Sequence, residues 1–234
     1  MRRRKRSVTK LKHPLPYYDV PFEKHFEIIK AYVVISKEGK EALSCRDLRG
    51  STSVSPNRVS ANNKFFEDLG LIEKTEKGQG KYRPTEKAVE FSKAKDWDEE
   101  EAKRILRDII LESWFWQSTN ELLSVKGGRV PKEKLINRLG LDSGADRKHT
   151  PALKVLLEYL KYVGLIDEED GIITYGKAVL KQQSASKIEF PEGKDMIQVV
   201  IGDELFAIEL KEFEMFVREK GRKLDKHIYR VKAG

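Results

Sequence analysis

The chain has 234 residues, of which 39% are hydrophobic and 36% are charged, so it is long enough to form one or two folded domains. Charges interrupt its apolar runs well before the roughly 20 residues that a bilayer requires, and the single Cys45 excludes an intramolecular disulfide. The net charge of +8 is uneven, because residues 1–12 contain seven Lys or Arg and no acid, whereas residues 96–210 contain 16 basic and 22 acidic side chains.

The first predicted element is a basic arm, residues 1–20, which has too few apolar groups to fold alone and is expected to be disordered. Such an arm neutralises phosphate groups and releases counterions, which gives salt-dependent affinity with little sequence preference. Its predicted phosphate contacts are Arg2, Arg3, Arg4, Lys5 and Arg6. A solubilising tail is the simpler alternative.

An internal repeat organises the rest of the chain. Residues 64–73 are matched by residues 158–167, and both copies contain Gly-Leu-Ile. Upstream of each copy lies a hydroxyl residue followed by proline, and downstream lies Lys-Ala-Val. The repeat predicts two homologous modules, each with a helix, a hairpin and a further helix. We call residues 21–95 the first module and residues 129–185 the second module.

Local signals mark the ends of the repeated helix. Ser55 and Thr150 are expected to accept hydrogen bonds from first-turn amides, since a proline follows each of them. Gly70 and Gly164 are expected to end the helices in a left-handed conformation.

In the first module, the helix has a predicted inner face of Val59, Phe66 and Leu69. The outward residues are then Asn57, Arg58, Ser60, Ala61 and Lys64. This outer face is small and polar, and Arg and Asn can form paired hydrogen bonds with guanine and adenine in a major groove. The alternative is an ordinary solvated helix face.

The hairpin after this helix has a polar tip with two glycines. Lys77, Lys81 and Arg83 surround the tip, so the loop could follow a phosphate strand or enter a minor groove. Solvated lysines on a surface hairpin are the alternative. The tip is not a phosphate-binding loop of the Walker type, because the flanking strand and helix are absent.

The pattern from Val59-Ser60 through Phe66-Glu67-Asp68-Leu69-Gly70-Leu71-Ile72 resembles the second and third helices and the wing of the winged-helix superfamily. The resemblance covers residues 21–95 and, more loosely, residues 129–183. It implies a mainly α fold with small β-hairpin wings (α+β), arranged as a tandem winged helix-turn-helix similar to uncharacterised prokaryotic and archaeal proteins. Asn63 departs from the usual leucine, which indicates either a buried amide or a shifted helix face.

Residues 96–128 are predicted to form one long linking helix, which opens with Asp98-Glu99-Glu100-Glu101. Its apolar stripe consists of Ala102, Leu106, Ile109, Trp116 and Leu123. The cluster Trp114-Phe115-Trp116 favours core packing over a ligand pocket, and dimerisation along this helix is a further alternative.

The second module is a weaker candidate for DNA contact. Residues 151–160 are apolar around most of the helix, and Asp167-Glu168-Glu169-Asp170 on the hairpin would repel phosphate. Packing against another module or subunit is therefore preferred, although residues 147–149 are basic. Residues 186–234 predict a small C-terminal α/β unit, made of a hairpin, a helix and a basic tail, which either completes the second module or mediates self-association.

No pattern for catalysis is present: the sequence has no nucleophile elbow, metal-ligand spacing, paired carboxylates or Gly-rich nucleotide loop. We expect a cytoplasmic, nucleoid-associated DNA-binding protein without cofactor or metal, with a composition typical of thermophiles. It would be a transcriptional regulator or a chromatin or replication accessory factor. Self-association is predicted through the long helix, the second module or the C-terminal unit. The alternative is a tandem winged-helix scaffold for protein interactions in a chromosome-segregation or transcription complex.

Overall fold

The computed structural model describes residues 11–75, 80–180, 196–201 and 204–210. The protein is mainly helical with small antiparallel sheets, which confirms the predicted α+β class at that level. The chain divides into two compact units, Met1–Leu180 and Lys181–Gly234. Within the described ranges, no helix is both long enough and apolar enough to cross a bilayer.

The first module combines helices with one three-stranded antiparallel sheet. Its elements are α1 (Phe22–Ile35), β1 (Leu43–Ser44), α2 (Pro56–Asp68), β2 (Ile72–Lys74), β3 (Lys81–Pro84) and α3 (Glu86–Trp97). β3 lies between β1 and β2, and it pairs with β2 as the predicted hairpin. Residues 45–54 connect β1 to α2 through turns and bends.

The second module has the same strand order. After α4 (Glu99–Leu111), its elements are α5 (Trp114–Val125), β4 (Arg129–Pro131), α6 (Lys132–Ser143), a 3₁₀ turn (Arg147–His149), α7 (Thr150–Tyr162), β5 (Ile166–Glu169) and β6 (Ile172–Tyr175). β6 is the central strand, between β4 and β5. In the second unit, β7 (Met196–Ile201) and β8 (Glu204–Glu209) form an antiparallel pair.

The repeated Gly-Leu-Ile has the same conformation in both modules. Gly70 and Gly164 adopt φ angles of 71° and 72°, a left-handed conformation that glycine adopts without a Cβ penalty. The Leu-Ile pair after each glycine is buried. The prediction for these helix ends is confirmed, and each helix passes directly into a strand packed on the core.

The repeated hydroxyl-proline pair marks a helix start in both modules, as predicted, but the predicted side-chain hydrogen bonds of the caps are absent. Ser55 lies at the cap position of α2 but its side chain accepts no hydrogen bond from the first turn. Thr150 is the first residue of α7, and its hydroxyl donates to the carbonyl oxygen of Arg147 at 2.8 Å. The chain before α7 already turns through a 3₁₀ segment, which Asp146 and His149 cap reciprocally.

The single long linking helix is also wrong, because the structure contains two helices there. Asp98 caps α4, because its carboxylate accepts hydrogen bonds from the amides of Glu100 and Glu101, and the helix ends at Leu111. Ser113 is extended and its hydroxyl accepts from the amide of Trp116, so α5 begins as a separate helix. α5 packs on α6 and β4. The second module therefore begins at Trp114 and not at residue 129.

The apolar stripe of this region is buried in the core of the same chain. All five predicted members, Ala102, Leu106, Ile109, Trp116 and Leu123, belong to one hydrophobic cluster that extends through both modules. Core packing is confirmed for these residues, and for Phe115. The helices α4 and α5 therefore use their apolar faces within the chain.

Aromatic rings join the two modules where α7 meets α1. Tyr159 is fully buried, and its ring lies edge to face against Phe22 and Phe65, at centroid distances of 4.8 and 5.5 Å. The ring of Tyr162 lies edge to face against Phe22 and is tilted against Phe26, at centroid distances of 5.5 and 5.0 Å. The prediction that the second copy packs against another module is confirmed for α7.

Residues 11–20 are docked on the protein, so the predicted disorder of residues 1–20 is wrong for this part; residues 1–10 lie outside the described residues. We call residues 11–20 the strap. The amide of Lys12 donates to the carbonyl oxygen of Ser143 at 2.8 Å, and the His13 ring stacks on Trp114 at 4.7 Å. Buried or half-buried apolar side chains of the strap complete the docking. The high charge of the preceding residues concealed this apolar spacing in the sequence.

Candidate nucleic-acid interface

The two faces of α2 are divided as the sequence predicts. Val59, Phe66 and Leu69 are buried. The five residues of the predicted outer face, Asn57, Arg58, Ser60, Ala61 and Lys64, are all exposed. No acid occurs between residues 56 and 66, so this surface is polar and weakly cationic over most of its length. Glu67 and Asp68 bring negative charge only at the carboxyl end of the helix.

The direction of charge along α2 favours an anionic partner at its beginning. The amino end of a helix carries a partial positive charge and unsatisfied amides, which attract phosphate. At the other end lie the exposed carboxyl groups of Glu67 and Asp68. The part of α2 suited to a polyanion is therefore its first two turns.

The departure at Asn63 proves to be a buried amide, and the helix face is not shifted. Its side-chain oxygen accepts a hydrogen bond from the Tyr32 hydroxyl at 3.0 Å. Burial raises the pKa of Tyr32, so this phenol remains a donor at neutral pH. The polar group in the core is thus paired, as buried polar groups require.

A second buried amide, Asn62, was not identified from the sequence. Its side-chain oxygen accepts from the amide of Tyr17 at 2.9 Å, and its nitrogen donates to the carbonyl oxygen of Arg58 at 3.0 Å. Asn62 therefore fixes the strap to α2 beside the exposed face. Two adjacent Asn residues in an otherwise amphipathic helix were the only signal of this role.

The strap also places a carboxylate at the outer face of α2. Nη2 of Arg58 donates to Oδ2 of Asp19 at 2.8 Å, and about half of each side chain is exposed. The other cation of the face, Lys64, is exposed. Both cations of the face therefore have an acidic neighbour: Arg58 pairs with Asp19, and Lys64 interacts electrostatically with Asp68.

The hairpin adds cations on β3. Lys81 and Arg83 are exposed and alternate with the half-buried Tyr82, so they lie on one face of the strand. Lys81 lies opposite Ser44 of β1. The amide and the hydroxyl of Ser44 donate hydrogen bonds to the carboxylate of Asp47, and these bonds lower the pKa of Asp47. Lys77 lies outside the described residues, as do Arg2, Arg3, Arg4, Lys5 and Arg6.

The turn segment before α2 contains basic residues that the sequence analysis did not select. Arg46 and Arg49 are exposed there, and Leu48 between them is buried, so it anchors the turn to the core. Three hydroxyl residues, 51–53, follow before the helix. The signal was available as two arginines and three hydroxyls close to a helix start, a composition typical of phosphate contact.

The corresponding surface of the second module is different. In α7, the exposed residues are Pro151 and Lys154. Lys161 lies between Glu158 and Glu168, at 2.8 and 3.2 Å, so its charge is compensated. Asp167, Glu169 and Asp170 on the hairpin are exposed. This surface is unsuited to a phosphate backbone.

The described histidines do not form a catalytic arrangement. His25 is buried at the module junction, where its Nδ1 is 2.8 Å from the Tyr159 hydroxyl and burial lowers its pKa to about 4. Complete burial also raises the pKa of Tyr159. His149 pairs with Asp146 at the 3₁₀ turn. Within the described ranges, no cluster of three His, Cys, Asp or Glu side chains could hold a metal ion.

Comparisons with protein-family models, with curated proteins and with solved structures find no match to this chain.

Proposed function

We propose that this protein binds double-stranded DNA without catalysing a reaction. The observation that carries the proposal is the outer face of α2 from Asn57 to Lys64. This face is exposed, lies opposite the buried face of the helix and contains no acidic residue. Further exposed cations occur on β3 and in the segment before α2. The resulting patch is suited by charge and side-chain type to phosphates and base edges.

We also propose that the two modules are winged helices in tandem. The support is their shared order of helix, strand, helix and hairpin, with the last hairpin strand central in each sheet. In the first module, the turns at residues 45–54 occupy the place that α6 has in the second. The helix before the hairpin is the one that enters the major groove in this type of fold. That helix is α2 in the first module.

The proposed contacts fall into two groups: contacts to phosphates, which position the duplex, and contacts to base edges, which recognise its sequence. The arm, now limited to residues 1–10, contains six cations that neutralise phosphates, and Lys81, Arg83, Arg46 and Arg49 hold the duplex backbone against the module. Asn57 and Arg58 then lie on the part of α2 that reads base edges. A regulator of transcription or a chromatin or replication accessory factor on the nucleoid would use these parts in the same way.

A duplex titration at several salt concentrations tests the proposal. The full chain should show a steep salt dependence, with about 0.9 in the slope of log K against log salt for each phosphate contact. Removing residues 1–10 should flatten that slope by up to about 5, since six cations are lost. The deletion stops at residue 10 because Lys12 holds the strap to Ser143.

A full-length control with the six arm cations replaced by Gln separates charge from length. It should have the same flattened slope as the deletion. An unchanged slope in both variants means that the arm is not at the interface. Absence of duplex binding by the full chain at low salt contradicts the proposed function itself.

The rival function is a scaffold for protein interactions. It is favoured by Val125 and Leu141 of the second module, each 75% exposed, and by the exposed acids on the hairpin of the same module. The same apolar positions would serve the predicted homodimer, since the stripe of α4 and α5 is buried within the chain. Sedimentation of the full chain at micromolar concentration should show a dimer, and Val125→Lys with Leu141→Lys should shift it to monomer. A monomeric wild-type chain removes this assembly.

A further inference from the structure

The single acid among residues 1–20 lies against the arginine best placed to read a base. Asp19 is the only acidic residue of this segment, and its Oδ2 accepts a hydrogen bond from Nη2 of Arg58 at 2.8 Å. The side chains are 45% and 50% exposed, so both remain accessible at the outer face of α2. Asp19 thus places a negative charge on an otherwise basic surface, in contact with Arg58.

The contact is held by a fixed turn of the strap. The amide of Val20 donates to the carbonyl oxygen of Tyr17 at 3.1 Å, and the Val20 side chain is buried. The amide of Tyr17 donates in turn to Asn62, which also bonds to the backbone of Arg58. One buried amide therefore fixes both the turn that carries Asp19 and the backbone that carries Arg58.

The chemistry of the pair leaves the guanidinium able to bind a second acceptor. A guanidinium has five N–H donors in a planar fork, and the bond to Asp19 uses one of them on Nη2. The adjacent carboxylate cancels much of the positive charge, so the attraction of Arg58 to phosphate is reduced. It also restricts the side chain to one orientation, which favours a planar acceptor pair such as O6 and N7 of guanine.

On the basis of the proposed function, we propose that Asp19 is a positioning residue that orients the guanidinium of Arg58 toward a guanine edge and away from phosphates. The docked strap is then part of the recognition surface. Asp19 supplies sequence preference and reduces affinity for arbitrary DNA.

Asp19→Asn in the full chain tests this inference. The variant should bind a duplex pool of random sequence about two- to five-fold more tightly, because an exposed ion pair no longer competes. Its salt slope should become steeper by about 0.9, the value of one added phosphate contact. Selection from the same random pool should show that a base preference of at least about five-fold at one position is lost.

Two further variants identify the cause. Asp96→Asn makes the same charge change in a pair of the same exposure, with Lys30 on α1, and should alter neither the salt slope nor the base preference. In an Arg58→Gln background, Asp19→Asn should have no further effect on either quantity. Thermal melting of each variant confirms that the fold is retained.

The inference is overturned if wild type binds DNA but Asp19→Asn keeps the same slope and base preference, or if Asp96→Asn reproduces its effects. If wild type binds no duplex at low salt, the proposed function has failed and the inference fails with it. These two failures are distinguished by the wild-type titration alone.

Discussion

The helices α2 and α7 occupy equivalent places in the two modules, yet their sequences serve different surroundings. At the spacing of the repeat, the exposed Arg58 of α2 corresponds to Ala152 of α7, which is 2% exposed. The buried amides Asn62 and Asn63 correspond to the buried Leu156 and Leu157. One module therefore keeps a polar helix face and two paired core amides, while the other has an apolar helix that packs on its neighbour. Equal topology does not imply an equal role.

The largest expected effect tests whether only the first module contacts DNA. Arg58→Glu with Lys64→Glu should remove most duplex affinity, at a cost of about 1–3 kcal/mol for each residue. Both side chains are exposed. The carboxylate that Arg58→Glu places beside the half-exposed Asp19 is screened by solvent, so the fold should remain. Equilibrium titration with a labelled duplex measures the loss.

The matched control lies on the second module. Lys134→Glu with Lys154→Glu reverses two exposed charges on α6 and α7 and should leave the affinity nearly unchanged. Lys161 is avoided, because its ion pairs with two acids would be reversed into repulsion. Equal losses from the two double variants would place both modules on the duplex.

The next effect concerns the junction that buries α7. His25 is buried and its pKa is lowered from 6.5 to about 4, so the folded protein binds no proton there when the unfolded chain does. Its contribution to stability is present above pH 6.5 and is lost as the pH falls toward 4, by about 3 kcal/mol in total. Denaturant unfolding at a series of pH values measures this decline.

The control replaces the pair together. His25→Phe with Tyr159→Phe removes the titrating group and its hydrogen-bond partner at once, so neither is left buried without the other. The stability of this double variant should decline less between pH 6.5 and 4. An identical decline in both proteins would assign the pH dependence to other groups.

The smallest effect tests the amide that distinguishes α2 from α7. Asn62→Leu copies the residue of the second module but leaves the amide of Tyr17 without its acceptor, which should lower the free energy of unfolding by about 1–3 kcal/mol. Ala61→Val copies the second module at the adjacent exposed position and should change it by less than about 0.5 kcal/mol. Equal effects of the two substitutions would show that the strap contact is not stabilising.

Sequence patterns predicted the elements whose causes are local. The spacing of Val59, Phe66 and Leu69 gave the inner face of α2 correctly, and Gly70 and Gly164 marked the ends of both repeated helices. The outer face followed from the same periodicity. These features depend on residues a few positions apart, which a single sequence displays directly.

The remaining features depend on distant contacts or on small differences in local preference. Nothing near the strap in sequence indicates that Tyr17 bonds to Asn62 or that Lys12 bonds to Ser143. The break before α5 depends on Ser113, which is extended and caps α5 instead of continuing α4 as a helical residue. Asp19 was counted only as a charge, and its place beside Arg58 required the fold.

The docking of the strap has a consequence for the order in which the chain folds. The amide of Lys12 bonds to Ser143 at the end of α6, and the ring of His13 stacks on Trp114 of α5. Both partners are synthesised long after the strap. At typical rates of protein synthesis, the delay is on the order of ten seconds. The contact between His25 and Tyr159, which are 134 residues apart, can form only after a similar delay. The strap is thus synthesised well before the residues that hold it in place, and closing such distant contacts slows folding. Slow refolding with late protection of the Tyr17 and Lys12 amides would be its kinetic signature.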